Sequence, residues 1–158
     1  MRICRRKIME NNKIITKIDG VEPINNQEIW KIYASYYLIS NFGRIYSTKS
    51  KKLMNPTPKR SQQNRGLCYY WVSLATPDGE KNYYVHRVVA ELFCQPLNPE
   101  APLNSEKCKV EIHHRNFDTL DNRAENLMII KAWMHRLLHV AVKKYREEQA
   151  LTKGGDVA

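Results

Sequence analysis

The chain has 158 residues, with 26 Lys and Arg against 16 Asp and Glu, for a formal charge of +10. That length suits one compact domain or two small ones and excludes a large multi-layer enzyme. The composition, 42% hydrophobic and 27% charged, is that of a globular chain. No run approaches the roughly 18 apolar residues of a membrane span, and no apolar core follows the basic start, so a cytoplasmic protein with no membrane partner is expected.

Residues 1–27 have mixed polarity and a turn at Asp19-Gly20, and read as an N-terminal arm with one short strand. Residues 28–47 are rich in β-branched and aromatic side chains, punctuated by Asn41-Phe42-Gly43, and read as strands around a turn. The polar stretch 48–66 reads as an exposed loop. Leu67–Ala75 and Lys81–Val85 form a strand pair joined at Pro77-Asp78-Gly79. From Val85 to Phe93 apolar residues recur at helical spacing, and Pro96, Pro99 and Pro102 then impose a loop over 94–108. Lys109–His113 and Asn126–Ile130 are strands flanking a polar turn at Arg115–Arg123, where Asn122 reads as a turn-capping residue. A final helix runs from Lys131 to Gln149, and Gly154-Gly155 opens a tail. The fold class is α+β: an arm (1–27), a basic β-rich module (28–77), a ββα unit (78–146) and a tail (147–158).

The charge is unevenly placed. Residues 29–77 carry eight basic side chains and no acid, while residues 78–158 carry twelve of each sign. The basic stretch also holds six tyrosines and two tryptophans. Cations displace counterions from phosphates and aromatics supply rigid contact area, so this stretch points to nucleic acid. Arg44, Lys49, Lys51, Lys52, Lys59, Arg60 and Arg65 are its candidate phosphate contacts, which set register and affinity without reading bases. The four cysteines, at 4, 68, 94 and 108, form no Cys-x-x-Cys pair and read as free, mostly buried thiols.

Four of the five histidines fall at 113, 114, 135 and 139. His135 and His139 are four apart on the final helix and project from one face, a spacing at which two imidazoles share one metal ion. His113 and His114 end a strand, where successive side chains point to opposite faces, so both serve one site only if the chain turns there. One would then join the metal while its neighbour stays free to act on water. His86 reads as a packing or capping residue.

The order Glu111-Ile112-His113-His114, Glu125-Asn126-Leu127 and His135-Arg136-Leu137-Leu138-His139 resembles the HNH nucleases and their ββα-metal site, most of all the nuclease domains of colicin toxins. The stretches Trp30 with Tyr37–Ser47, Val85–Ala90 and Asp121–Leu127 are similar to phage-type homing endonucleases with an upstream DNA-binding module. That resemblance spans about 28–142 and implies a metal-dependent endonuclease acting on double-stranded DNA, in a host cytoplasm if phage-encoded. It implies His114 as general base, His113, His135 and His139 as ligands of one divalent ion, Asn126 as the residue orienting His114, and Glu111 as support to a ligand histidine. Arg136 is the foremost phosphate contact near the scissile bond, with Arg115 and Arg123 as further candidates. Many homing enzymes of this group have Asp-His in place of His113-His114 and Asn in place of His135. Mg²⁺ or Mn²⁺ is the expected catalytic ion, and the three-imidazole set also admits Zn²⁺. Two alternatives remain: a non-catalytic DNA-binding protein with a metal-stabilised ββα unit, and an RNA-directed nuclease. Nothing in the sequence announces a homodimer.

Overall fold

The structure, a computed structural model, describes residues 13–34, 36–61, 66–77, 79–95 and 109–153. Four strands, β1 (Trp30–Tyr33), β2 (Tyr37–Ser40), β3 (Ile45–Ser47) and β4 (Lys52–Met54), form an antiparallel meander. Three more, β5 (Thr57–Arg60), β6 (Cys68–Thr76) and β7 (Gly79–Tyr84), form a second sheet. Helix α1 (Val85–Phe93) follows without a break. The last unit is a hairpin of β8 (Val110–His114) and β9 (Leu127–Lys131), entered through a 3-10 turn at Ala124–Asn126 and followed by α2 (Ala132–Lys153). Among the described residues, no helix is long and apolar enough to cross a membrane.

The first sheet is apolar on both faces, because alternate residues of a strand point to opposite sides. Tyr37 and Ile39 of β2 and Ile45 of β3 pack with Val72 and Leu74 of β6, with α1 through Val85, Val88, Val89 and Ala90, and with Leu127 of β9. Leu38 and Tyr46 face the other way and pack with Trp30 and Ile18. The segment before β1 therefore covers a core. Its expected strand is reduced to two isolated bridges, Ile15 with Trp30 and Ile18 with Val21, the latter around the Asp19-Gly20 turn.

The reading of 48–66 as a loop is overturned by β4 and β5 within it. Both are edge strands whose side chains are mostly exposed. Backbone pairing holds them, and lysines and Pro58 at a sheet edge discourage further strands from adding. Hydrophobic alternation cannot reveal such strands. The thiols of Cys68 and Cys94 are half-buried rather than buried, while Cys4, Cys108, the arm's first twelve residues and the prolines at 96, 99 and 102 lie outside the described residues.

One turn joins the first sheet to the hairpin unit. Ala124 N–H donates to Asn41 C=O at 2.7 Å. Asn41 is itself fixed: its Oδ1 accepts from Ile29 N–H and its Nδ2 donates to Gln27 C=O. Two residues on, Gly43 has φ +83°, and a Cβ there would lie 3.0 Å from Cβ of Asn122. Glycine is required by both the dihedral and the contact. The β2–β3 turn thus sets the position of the loop between β8 and β9.

Candidate active site

His113 projects from β8 toward α2, where His135 and His139 stand one turn apart. Their ring centroids lie 5.1 and 5.3 Å from that of His113. One nitrogen from each of the three imidazoles fits within a 4.8 Å span. His135 Nδ1 donates to Glu111 Oε2 at 2.7 Å, which leaves its Nε2 facing His139 Nε2 at 3.0 Å. Two ring nitrogens so placed cannot both present lone pairs unless a proton or a cation lies between them. Imidazole ligands of a tetrahedral divalent ion sit about 3.3 Å apart, from metal–nitrogen bonds of about 2.05 Å. The donor set fits such an ion.

The electrostatics favour neutral ligands. Burial first, and then the neighbouring histidines, pull His113 down to about 4. Burial and His135 also lower His139. Phe117 stands edge-on to His113 and His139, with the Arg146 guanidinium over its own ring.

His114 looks the other way. The strand ends with it, and the chain turns at Phe117, whose φ is +65°. Its ring meets His86 of α1 at 5.2 Å and Tyr69 of β6 at 6.2 Å. It is 5% exposed, and its Nε2 has no hydrogen-bond partner. Burial lowers its pKa, while the Asn122 side chain and then Asp121 pull the other way. The imidazole is consequently neutral at pH 7, with a lone pair to offer.

Asn126 braces the loop between these two clusters. Its Oδ1 accepts from Asn116 N–H at 3.0 Å, its Nδ2 donates to Asp121 C=O at 2.9 Å, and its backbone C=O accepts from Arg115 N–H at 2.8 Å. The side chain reaches across the turn that follows His114 rather than to the His114 ring. Asn122 Nδ2 donates to Leu120 C=O within the same turn.

The basic residues divide by placement. Lys49, Lys51 and Lys52 crowd the exposed β3–β4 turn. Lys59 on β5 lies 4.3 Å from the centre of the Trp71 ring, and Arg60 ends that strand. Arg44 instead pairs with the buried Glu28 at 3.1 Å, donates to Glu22 C=O and covers Trp30. Arg123 is held by Asp121 and Glu125, and Arg115 and Arg136 are exposed beside the histidines. Arg65 lies outside the described residues. Sequence spacing did not reveal the contact of His86 and Tyr69 with His114, which joins three elements far apart in the chain.

No family model matches the chain. Over 110 residues, 66% of this chain, it is 36% identical to an uncharacterised HNH endonuclease of Acanthamoeba polyphaga mimivirus, of which it covers 24%. Over 131 residues, 82% of this chain, it is 27% identical to the H-N-H endonuclease F-TflII of Escherichia phage T5, of which it covers 58%. The chain thus spans about a quarter of the first relative and little more than half of the second. Among solved structures, that of the HNH homing endonuclease I-HmuI is similar with a TM-score of 0.48 and 23% identity, over 82% of this chain and 61% of that one.

Proposed function

The chain belongs to the HNH endonuclease family, and from that premise we propose that it is a metal-dependent DNA endonuclease of homing type that hydrolyses phosphodiester bonds. The observation that carries this reading is the group of three imidazoles that holds no fourth protein ligand among the described residues, with His114 next to His113 in the chain and its pKa lowered by burial. A structural metal site would need a fourth protein ligand, and among the described residues the group holds only His113, His135 and His139.

In the proposed reaction, a water O–H proton passes to a ring nitrogen of His114. The hydroxide attacks phosphorus, the bond to the 3′ oxygen breaks, and that oxygen takes up a proton. His113, His135 and His139 would hold a divalent ion, which when bound supplies charge stabilisation at the phosphoryl and leaving oxygens. The all-nitrogen donor set favours Mn²⁺ or Zn²⁺ over Mg²⁺. Glu111 holds the His135 ring so that its Nε2 faces the other ligands. Asn126 fixes the turn after His114. Lys49, Lys51, Lys52, Lys59 and Arg60 contact backbone phosphates, as do Arg115 and Arg136 nearer the site. Arg44 acts indirectly, by holding β3 to the segment before β1. The substrate is double-stranded DNA in the cytoplasm of the cell that holds the protein.

The test is cleavage of supercoiled plasmid by the wild type and by His114→Ala, in EDTA and then with Mg²⁺, Mn²⁺ or Zn²⁺. Metal-dependent nicking that His114→Ala abolishes, with DNA binding retained, is expected. Tight, salt-sensitive binding without cleavage in any metal would overturn the enzyme and leave a DNA-binding protein. Preferential cutting of RNA in a mixed-substrate assay would overturn DNA as the substrate.

A further inference from the structure

Helix α2 carries one cation that neither the proposed mechanism nor the helix itself uses. Lys143 and Lys144 each reach a glutamate one turn on, Glu147 at 3.7 Å and Glu148 at 3.9 Å. Arg146 is exposed and has no carboxylate partner among the described residues. Its guanidinium lies instead over the ring of Phe117, 5.1 Å from the centre. That ring stands edge-on to His113 at 5.0 Å and to His139 at 5.2 Å. The unpaired charge is thus one aromatic ring away from two of the three imidazoles grouped for a metal.

Helix geometry puts it there. Arg146 follows His135 by about three turns and so leaves α2 on the same face to within roughly 20°. Helical side chains lean toward the N-terminus, which carries the guanidinium back toward His139. Phe117 receives it from a φ of +65°, a backbone state that a bulky side chain takes only under strain. Glycine or asparagine would adopt that state more freely, so the turn alone does not account for a phenylalanine. An arginine lying on an aromatic face keeps the N–H donors of its edges available. A divalent ion at the three imidazoles would repel this charge, and the Glu111 carboxylate is already engaged by His135. A phosphodiester strand laid against both cations removes the repulsion.

We propose that Arg146, laid on the Phe117 ring, grips a backbone phosphate of the cut strand adjacent to the scissile one. The inference rests on the chain being a DNA endonuclease with its site at His113, His135 and His139. The scissile phosphate belongs at those imidazoles, and the guanidinium, further along α2, meets the strand at a neighbouring phosphate. Its planar fork gives two parallel N–H···O bonds to the phosphate oxygens, and the ring beneath restricts its rotamers before DNA arrives. The contact reads no base; it fixes the register of the strand over the site.

The experiment measures binding of a plasmid-derived duplex across a salt series in EDTA, and plasmid cleavage in Mn²⁺, for the full chain and for Arg146→Gln, Arg146→Lys and Lys144→Gln. In EDTA, Arg146→Gln is expected to weaken binding about tenfold at low salt and to lower the slope of log affinity against log salt by about 0.9, the loss of one phosphate contact. Its kcat/KM for cleavage should fall at least about tenfold, because the strand is less well placed. Arg146→Lys should keep the salt slope, since the charge stays, and recover only part of the cleavage, since a point charge lacks the fork. Lys144 leaves α2 about 200° round from Arg146, so Lys144→Gln should keep both slope and cleavage near wild type. In an Arg146→Gln background, Phe117→Leu should weaken EDTA binding no further, and an additional loss overturns the part given to the ring. An arginine serving only its contact with Phe117 would leave slope and cleavage unchanged in Arg146→Gln. That result, or an equal loss in Lys144→Gln, overturns the role of Arg146 while cleavage by the wild type stands. A wild type that neither binds the duplex in a salt-sensitive way nor cuts plasmid overturns the endonuclease reading and this inference with it.

Discussion

Glu111 and His135, 24 residues apart, meet across the gap between β8 and α2, with His135 Nδ1 donating to Glu111 Oε2 at 2.7 Å. The bond selects which nitrogen of His135 faces His113 and His139. A carboxylate behind a ligand imidazole fixes its tautomer and raises its basicity. Glu111→Gln should accordingly weaken Mn²⁺ or Zn²⁺ binding roughly tenfold to a hundredfold by isothermal titration. The apo fold should hold, because the pair is partly exposed to solvent.

The pH dependence of cleavage follows from His114. A base acts in its neutral form, and burial holds its pKa below the ordinary 6.5. The rate at saturating metal should be flat above neutrality and fall only in an acid limb with a midpoint below 6.5. A midpoint at or above that value would show that burial does not govern the group.

Stability in EDTA should also depend on acid. His86 is lowered to about 3, so below its unfolded value of about 6.5 the unfolded chain binds a proton that the folded chain refuses. Its contribution is complete above about 6.5 and is lost as pH falls toward 3. The urea midpoint should therefore drop from pH 7 to pH 4, and it should drop less in His86→Phe. An equal drop in both would place the acid sensitivity elsewhere, with His113 the next candidate.

Asn126 closes the loop with two side-chain hydrogen bonds in a buried position. Asn126→Ala leaves Asn116 N–H and Asp121 C=O without those partners, and should cost about 2–4 kcal/mol of unfolding free energy. Cleavage should fall in the folded protein as well, since the same loop follows His114. Denaturant titration combined with single-turnover rates separates the two effects.

At Gly43, alanine faces both a positive φ of 83° and a contact of 3.0 Å with Asn122 Cβ. Gly43→Ala should destabilise by about 1–3 kcal/mol, measured by thermal unfolding. Gly20 has φ +75° and open space around it, so Gly20→Ala should cost only the dihedral term. A smaller loss at Gly43 than at Gly20 would mean that the docked turn yields easily.

Chain-local patterns made several features legible. Helical spacing in Val85–Phe93 and the turn residues at Pro77–Gly79 marked α1 and the β6–β7 pair within a residue or two. The i, i+4 pair His135 and His139 marked the face of α2 that His113 approaches. The polar edge strands β4 and β5 were not legible, since backbone pairing with a neighbouring strand leaves no hydrophobic trace. Arg44 looked like its basic neighbours, and only the fold pairs it with Glu28.

Residue types, their spacing on single elements and the concentration of positive charge in residues 29–77 are all properties of the linear chain. These suffice for the α+β class and for grouping His135 with His139, because spacing on one helix is local geometry. Which distant groups meet depends on the packed fold. Alternation along β8 sends His113 to α2 and His114 to α1, so two adjacent histidines occupy separate environments. Only packing brings His86, Tyr69 and Asn122 around His114 from three different elements, because burial and contact across long chain separations are properties of the closed core rather than of any one segment.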